Sequence, residues 1–271
     1  MHRIAIATLC MLTSASAAGA PSTEPAAMRV VSYNIRHGRG IDDRVDLPRT
    51  AAVLKALSPD IIALQEVDHR VMRSDSVPQA DSLGKLLGMH ATFGSFFDYQ
   101  GGEYGMAILS RWPILATTPI RLPDGNEPRI ALRADIALPD GDTIAVINVH
   151  FDWVDNDTLR VAQARTLAAV LDTVSLPWLL LGDFNDTPES RTLALFTSRA
   201  VAAEKPSNNR FTFSATEPIK EIDFIFAAPR DEWQVGAARV VDEQVASDHR
   251  PVVAEIVLKT KLRGGNVKGE R

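Results

Sequence analysis

Short apolar segments rich in Val and Ile recur between residues 28 and 258, with turn residues between them, and this recurrence most limits the fold. Segments of this kind are typical of β-strands. We predict strands at residues 28–34, 60–65, 104–111, 129–138, 143–150, 177–182, 222–227 and 251–258. Apolar residues at helical spacing predict helices within residues 46–60, 80–88 and 157–174, the first capped by Asp46 with Pro48 in its first turn.

The order of these elements predicts the fold class. Helices separate some of the strands, whereas other strands follow one another directly. This mixture favours an α/β fold in which two sheets pack on each other with helices outside, rather than a uniform doubly wound sheet. Residues 28–258 contain neither a long repeat nor a low-complexity linker, so we predict one domain over residues 21–258.

The first twenty residues predict a secretory signal peptide, with a disordered leader as the alternative. Arg3 precedes the apolar stretch 4–12, and small residues follow at 16–20. The stretch is too short to span a bilayer, so we expect a secreted or periplasmic protein with no transmembrane segment in its mature chain. Cys10 is the only cysteine, so cleavage would leave neither disulfides nor a zinc–thiolate site.

The formal net charge of −5 is unevenly distributed along the chain. Without Arg3 the charge is −6, and residues 259–271 hold five basic residues and one acid, so residues 21–258 carry −10. Nucleic-acid surfaces require basic stripes, so the charge of the body does not favour nucleic acid as a partner. The tail is predicted to be a flexible basic end, with nucleic-acid or membrane binding as the alternative role.

Polar residues stand at or just beyond the ends of several predicted strands, where rigid scaffolds present reactive groups. Glu66 follows the apolar segment IIAL, and a carboxylate there requires a cation or a hydrogen-bond donor. The oxygen ligands of Asn34 and Glu66 together suit a hard ion such as Mg²⁺. His150 ends another predicted strand. Taken singly, Asn34 also fits a turn, and a lone histidine is also found in structural roles.

The segment WLLLGDFND is the strongest single signal. Asp183 and Asn185 follow a fully apolar strand and are two residues apart, so both side chains can point the same way. A carboxylate there can orient or deprotonate a water, and an amide can donate to an oxyanion. An Asx-rich turn is the alternative interpretation.

The segment SDHRP at residues 247–251 has two interpretations. It fits a solvated turn before a strand. It also supplies His249, a natural partner for Asp223, which lies within the apolar segment IDFIF. A neighbouring carboxylate raises the pKa of a histidine, and a cationic histidine stabilises charge that develops on a phosphate.

The chain resembles the endonuclease/exonuclease/phosphatase superfamily over roughly residues 28–258. Asn34 after a strand, then QEV, YGMAILSR, EPR, NVH, GDFN, IDFIF and SDHRP, occur in the order found in that superfamily. It includes deoxyribonucleases, abasic-site endonucleases, inositol polyphosphate 5-phosphatases and neutral sphingomyelinases. The resemblance implies a four-layer α/β sandwich with two stacked mixed β-sheets flanked by helices.

The resemblance also implies ligands for the substrate and for a divalent ion, Mg²⁺ or Mn²⁺. Glu66 would bind the ion with Asn34 beside it, and Asp248 would be linked to the ion directly or through water. Arg129 corresponds to a basic phosphate contact, and Tyr104 lies in the segment near the site.

Five further residues are implied to carry the catalysis. Asp183 would orient or deprotonate the attacking water, and Asn185 would hold the transition state. His150 and His249 would contact the scissile phosphate, with Asp223 supporting His249.

We therefore predict a metal-dependent phosphoester hydrolase, above all for phosphodiesters, that uses direct in-line attack by water on small or lipid-derived substrates. A secreted nonspecific endonuclease or deoxyribonuclease and a catalytically inactive binding module are the alternatives. Asp68 stands where some nucleases have a basic residue, and residues 73–81 and 97–105 resemble small bacterial hydrolases of the superfamily. We expect a monomer.

Overall fold

The structure is a computed structural model that describes residues 27–259, so the predicted signal peptide and all of the basic tail beyond Lys259 lie outside the described residues. In chain order the strands are β1 (Met28–Asn34), β2 (Ile61–His69), β3 (His90–Tyr99), β4 (Gly102–Ser110), β5 (Ile114–Arg121), β6 (Ile130–Ala137), β7 (Thr143–His150), β8 (Trp178–Asp183), β9 (Val201–Ala202), β10 (Asp223–Ala228), β11 (Trp233–Val235), β12 (Arg239–Val240) and β13 (Val252–Leu258). The helices are α1 (Leu47–Leu57), α2 (Gln79–Leu87), α3 (Thr158–Leu171) and α4 (Arg191–Thr197).

These strands form two mixed sheets. The first has the order β11-β13-β1-β2-β4-β3, with β12 also paired to β13, and the second has the order β5-β6-β7-β8-β10-β9. Each sheet contains one central parallel pair, β1 with β2 and β7 with β8. Helices cover both outer faces, which confirms the predicted four-layer α/β sandwich. None of the helices within residues 27–259 is long and apolar enough to cross a membrane.

The four layers follow from the two-residue period of the strands. Successive residues point to opposite faces, so Leu179 of β8 packs between the sheets, whereas Leu180 packs against the outer helix layer. The outer layer of the second sheet includes Leu167 of α3 and Phe196 of α4. Because the central strands are buried on both faces, most of their residues are apolar.

The two parallel pairs end at the same edge of the sandwich. Asn34 ends β1, and in the other sheet His150 and Asp183 end β7 and β8 opposite each other. β10 runs antiparallel to β8 and begins with Asp223 opposite Asp183. The loop before β13, which runs antiparallel to β1, carries His249 to the same edge. The topology therefore gathers polar residues from distant parts of the chain.

Several local predictions need correction. β2 continues through His69 instead of ending at residue 65, because a bulge between Gln65 and Val67 accommodates Glu66 within the ladder. Asp223 is the first residue of β10 rather than an interior one. β8 runs from Trp178 to Asp183 rather than over residues 177–182, and a Cβ at Gly182 would collide with the carbonyl oxygen of Val149 on the neighbouring strand.

Some elements were absent from the prediction for physical reasons. β5 is an edge strand whose residues are mostly exposed, so it lacks an apolar face. α4 has seven residues, too few to show a helical repeat, although Ser190 caps it by accepting from the N–H of Leu193. α3 ends at Leu171 rather than near residue 174. The capped start of α1 is confirmed, with Asp46 accepting from the N–H of Arg49 at 2.9 Å.

Candidate active site

Asn34 joins the two sheets at the polar edge. Its buried amide nitrogen donates to Oε1 of Glu66 at 3.0 Å and to Oδ2 of Asp183 at 3.1 Å. Its amide oxygen accepts from the backbone N–H of Arg36 at 3.1 Å. Since both carboxylates can only accept when ionised, the amide orientation is determined by its partners. The nitrogen of Asn34, rather than its oxygen, therefore faces the two carboxylates.

Glu66 is presented by the bulge in β2. Its backbone adopts a left-handed conformation with φ of 56°, and its side chain remains half-buried at the edge. Burial raises the pKa of Glu66 above its usual range, and the nearby carboxylate of Asp248 raises it further. The amide of Asn34 opposes this shift by donating a hydrogen bond. Two neighbouring carboxylates of this kind favour a cation between them.

Asp183 is the centre of the cluster. Its Oδ2 atom receives the amide of Asn34 and lies 3.5 Å from Nε2 of both His150 and His249. Its Oδ1 atom accepts from the backbone N–H of Asn185 at 2.9 Å. Burial raises the pKa of Asp183, so this carboxylate is more basic than a solvated one.

His249 lies between two carboxylates. Its Nδ1 is 3.0 Å from Oδ2 of Asp223, and its Nε2 faces Asp183. Burial would lower the pKa of His249, but the charges of Asp223 and Asp183 outweigh it and raise the pKa to about 10. We therefore assign an imidazolium to His249. Phe213 packs on the imidazole at a centroid distance of 4.9 Å, and Thr212 accepts from the backbone N–H of Asp223.

His150 is held in the opposite charge state. Burial lowers its pKa well below the usual value, and the charges of Arg129 and His249 act in the same direction. Nη1 of Arg129 lies 3.4 Å from Nδ1 of His150, and Arg can only donate. Nδ1 is then the acceptor, so the proton of neutral His150 is on Nε2, facing Asp183.

Arg129 and Tyr104 form one wall of the site. The buried guanidinium of Arg129 pairs with Glu127 at 3.1 Å and lies over the ring of Phe96 at 4.9 Å. Tyr104 is buried edge-on against Phe96, with centroids 5.7 Å apart, and burial raises its pKa well above the usual value. The charge of Glu66 raises the pKa of this phenol further, whereas the charges of Arg129 and Arg73 lower it.

Asn185 and Asp248 occupy the rim. Asn185 has a left-handed backbone with φ of 49°, and its amide nitrogen donates to the carbonyl of Phe151 at 3.0 Å. Asp248 is half-buried, with Oδ2 3.5 Å from Nε of Arg36. All ten residues proposed for the site from sequence therefore lie in or beside one cluster, although Asn185 directs its amide to the backbone.

Sequence reasoning missed the residues that support this cluster. Ser247 donates its hydroxyl to the carbonyl of Asn34 at 2.7 Å and so ties the SDHRP loop to the end of β1. Gln65 donates to Asn148 at 2.7 Å across the sheets, and Asn148 donates to the carbonyl of Leu64. The available signal was a polar side chain within each apolar strand, which requires a buried partner.

A second group of potential metal ligands overlaps the cluster. Ligand atoms of Asp183, Asp223 and His249 lie within 4.8 Å of one another. Both nitrogens of His249 already face these carboxylates, however, so the imidazolium itself satisfies the group. Glu66 and Asp248 are half-buried, so their carboxylates are more open to an ion than this buried group.

Comparisons with known proteins identify the family of the chain and agree with its fold. Residues 31–249 match the model of the Endonuclease/Exonuclease/phosphatase family. The uncharacterized protein YbhP of Escherichia coli strain K12 is 28% identical over 255 residues, covering 87% of this chain and 98% of that protein. A family protein from Bacteroides thetaiotaomicron has a TM-score of 0.74 at 21% identity, covering 88% of this chain and 100% of that one. The mannosyl-6-phosphatase of the same species has a TM-score of 0.71 at 21% identity, covering 85% and 100%.

Proposed function

The chain belongs to the endonuclease/exonuclease/phosphatase family, and on that premise we propose that it is a divalent-metal-dependent phosphoester hydrolase. The observation that carries the proposal is the position of Asp183. One buried carboxylate oxygen meets the amide of Asn34, a neutral His150 and a cationic His249. Such a group can orient a water, while the two histidines donate to a phosphate.

The residues around Glu66 fit a hard divalent ion, Mg²⁺ or Mn²⁺. They supply oxygen ligands, and the pKa of Glu66 is raised by burial and by Asp248, so a bound cation would stabilise both carboxylates. Glu66 would hold the ion, Asp248 would contact it directly or through water, and Asn34 would orient Glu66. When bound, the ion would supply Lewis-acid stabilisation of a phosphate oxygen.

The residues of the chain divide the remaining chemistry between them. Asp183 orients the attacking water and accepts its proton as the new P–O bond forms in line with the bond that breaks, and the alkoxide that leaves opposite the water takes a proton from solvent. Nε2 of His150 and the imidazolium of His249 donate to the phosphate oxygens, where negative charge develops. Asp223 keeps His249 protonated. No covalent intermediate is required, because the hydroxyl of Ser247, the serine that lies beside this cluster, is buried and already donates to the carbonyl of Asn34.

The charge of the chain supports a small or lipid-derived substrate. Residues 21–258 carry −10, which disfavours a long polyanion. Arg36 and Arg250 are engaged with Asp248 and Asp242, so they offer little extended positive surface. That a protein of the same fold is named a mannosyl-6-phosphatase supports a small phosphoester. From the predicted signal peptide we further propose that the protein is secreted or periplasmic; a monomer stays a prediction.

The test is hydrolysis of chromogenic phosphomonoesters and phosphodiesters before and after chelation. We expect activity that EDTA abolishes and that excess Mg²⁺ or Mn²⁺ restores. Full activity after exhaustive chelation would contradict the mechanism. Absence of activity with both ester classes, together with retained phosphate binding, would favour a binding module.

A further inference from the structure

Two stretches of the chain, one of which includes Tyr104 of the site wall, come together beside the catalytic cluster of Asn34, Glu66, His150, Asp183, Asp223 and His249. Arg73 belongs to the first stretch, residues 73–81, and Tyr99 and Tyr104 belong to the second, residues 97–105. The guanidinium carbon of Arg73 lies 4.8 Å from the ring centroid of Tyr99 and 5.1 Å from that of Tyr104. The contact between these two stretches therefore places a cation against two aromatic rings.

Asp68 fixes this arginine in place. The carboxylate of Asp68 is fully buried and accepts from Nε of Arg73 at 2.9 Å and from Nη2 at 2.8 Å. The hydroxyl of Ser74 donates to the same carboxylate at 2.8 Å. A bidentate pair of this kind holds the guanidinium in one orientation. In the described residues Nη1 makes no hydrogen bond, so it remains available to a ligand.

A cavity of about 130 Å³ opens at this point, and we name it the aromatic–arginine pocket. Its lining consists of one cation, one carboxylate and three aromatic rings, from Arg73, Glu127, Phe97, Tyr99 and Tyr104.

The aromatic–arginine pocket adjoins the catalytic cluster. Glu127 pairs with Arg129, and Arg129 in turn contacts His150. A group bound in the pocket would thus lie next to a phosphate held at His150.

The charges around the pocket balance. Asp68 offsets Arg73, and Glu127 offsets Arg129. A second phosphate would face the carboxylate of Glu127, and a quaternary ammonium group would face the guanidinium of Arg73. A neutral ligand avoids both of these contacts between like charges. The aromatic faces favour a ring, and the free guanidinium nitrogen and the carboxylate favour hydroxyl groups on that ring.

We propose that the aromatic–arginine pocket binds a neutral, hydroxyl-bearing ring that is esterified to the scissile phosphate. The substrate class is then a phosphoester of a sugar or a cyclitol. This inference rests on the proposed function, since it assumes that the phosphate is hydrolysed beside His150. Tyr99 and Arg73 are the residues that would determine the preference for the ring.

The test compares phosphoesters that differ in the group beside the phosphate. Glucose 6-phosphate and inositol 1-phosphate carry a neutral ring, and glycerol 3-phosphate has no ring. Phosphocholine carries a quaternary ammonium group instead of a ring, and fructose 1,6-bisphosphate has a second phosphate. Each is assayed also as its methyl diester, so that either ester preference is covered. We expect the neutral rings to have kcat/KM at least about tenfold above the others, equivalent to about 1.4 kcal/mol.

Tyr99→Leu and Arg73→Lys should each remove most of this preference, chiefly by raising KM for the ring substrates. Arg199→Lys is the matched control, because Arg199 forms a bidentate pair with Asp172 on the helix layer and has a similar exposure, 31% against 28% for Arg73. Tyr99→Leu leaves the pair of Asp68 and Arg73 intact, so the test does not depend on the folding of Arg73→Lys.

The results separate this inference from the proposed function. An unchanged ring preference in Tyr99→Leu, or a wild-type preference for phosphocholine or the bisphosphate, would overturn the assignment of the pocket while leaving metal-dependent hydrolysis intact. Calorimetry under chelation measures the pocket without turnover. The wild-type protein should bind glucose 6-phosphate about tenfold more tightly than methyl phosphate, whereas Tyr99→Leu should bind the two compounds with similar affinity. Equal affinities of the wild-type protein for the two compounds would also overturn the assignment.

Discussion

Two buried aspartates of this protein each hold a cationic side chain, with different consequences. Asp68 binds Arg73 through two parallel hydrogen bonds, and the guanidinium packs between tyrosine rings. Asp223 binds only one nitrogen of His249, whose other nitrogen faces the catalytic cluster. The pair of Asp68 and Arg73 is permanently charged, whereas His249 presents a proton that can be shared with another group.

This difference separates structural from chemical use of the same residue type. A guanidinium stays protonated under all conditions that proteins tolerate, so the pair of Asp68 and Arg73 can shape a wall but cannot transfer a proton. An imidazolium can donate one, and the carboxylate behind it keeps it protonated. Changes at Asp223 should therefore mainly affect turnover, whereas changes at Asp68 should mainly affect stability and binding.

The largest effect is expected from the pair of Asp223 and His249. His249→Ala and Asp223→Asn should each lower kcat by about 10²–10⁴-fold, the scale of a positioned acid or base. The double variant should lose little more than the worse single variant, because the two residues act as a unit. Steady-state kinetics on one chromogenic phosphoester measures all three. Losses that multiply would show that the residues act independently.

The next effect concerns the substrate, because the two regions differ in charge. The catalytic cluster is rich in carboxylates and the aromatic–arginine pocket is balanced, so neither attracts a run of phosphates. Small phosphoesters should have kcat/KM about 10–10³-fold above duplex DNA, the range that electrostatic attraction or repulsion gives to association. A side-by-side assay at about 0.15 M salt measures the ratio. Efficient cutting of plasmid DNA without turnover of small esters would establish the nuclease alternative.

A smaller effect is expected on folding. Asp68→Asn keeps the shape of the side chain but removes the charge from a fully buried position, so the hydrogen bonds from Arg73 and Ser74 weaken. The free energy of unfolding should fall by about 1–3 kcal/mol. Urea denaturation measures it, and an unchanged midpoint would show that the pair of Asp68 and Arg73 does not stabilise the fold.

The smallest effect on the free energy of unfolding is expected at Asp172, the exposed counterpart of Asp68. Asp172 accepts two hydrogen bonds from Arg199 in the same geometry, but 53% of its side chain is exposed. Water replaces these bonds, so Asp172→Asn should change the free energy of unfolding by less than about 0.5 kcal/mol. The same urea denaturation provides the value. An effect as large as that of Asp68→Asn would show that burial does not distinguish the two pairs.

The sequence was sufficient to locate β1, β7, β8 and β13, because alternation and apolar runs are local properties. It also pointed to the residues that the structure brings together at one edge, through strand ends for residues such as Asn34 and Asp183 and through the family resemblance for Tyr104, Arg129 and Asp248; their catalytic roles stay predictions. The inward turn of Glu66 depends on a bulge, and the two hydrogen bonds from Asn34 depend on strands far apart in the chain. The pairing of Asp68 with Arg73 was not predicted either, because the sequence shows Asp68 only as an acidic residue at a position where some nucleases have a basic one.

The central claim is that Glu66 holds a catalytic divalent ion. Its most direct test is calorimetric titration of Mn²⁺ into wild type and Glu66→Gln, with hydrolysis measured on the same samples. We predict that the substitution weakens ion binding and lowers activity together while the unfolding midpoint is retained. Equal Mn²⁺ affinity in the two proteins, or full activity of Glu66→Gln, would contradict the account.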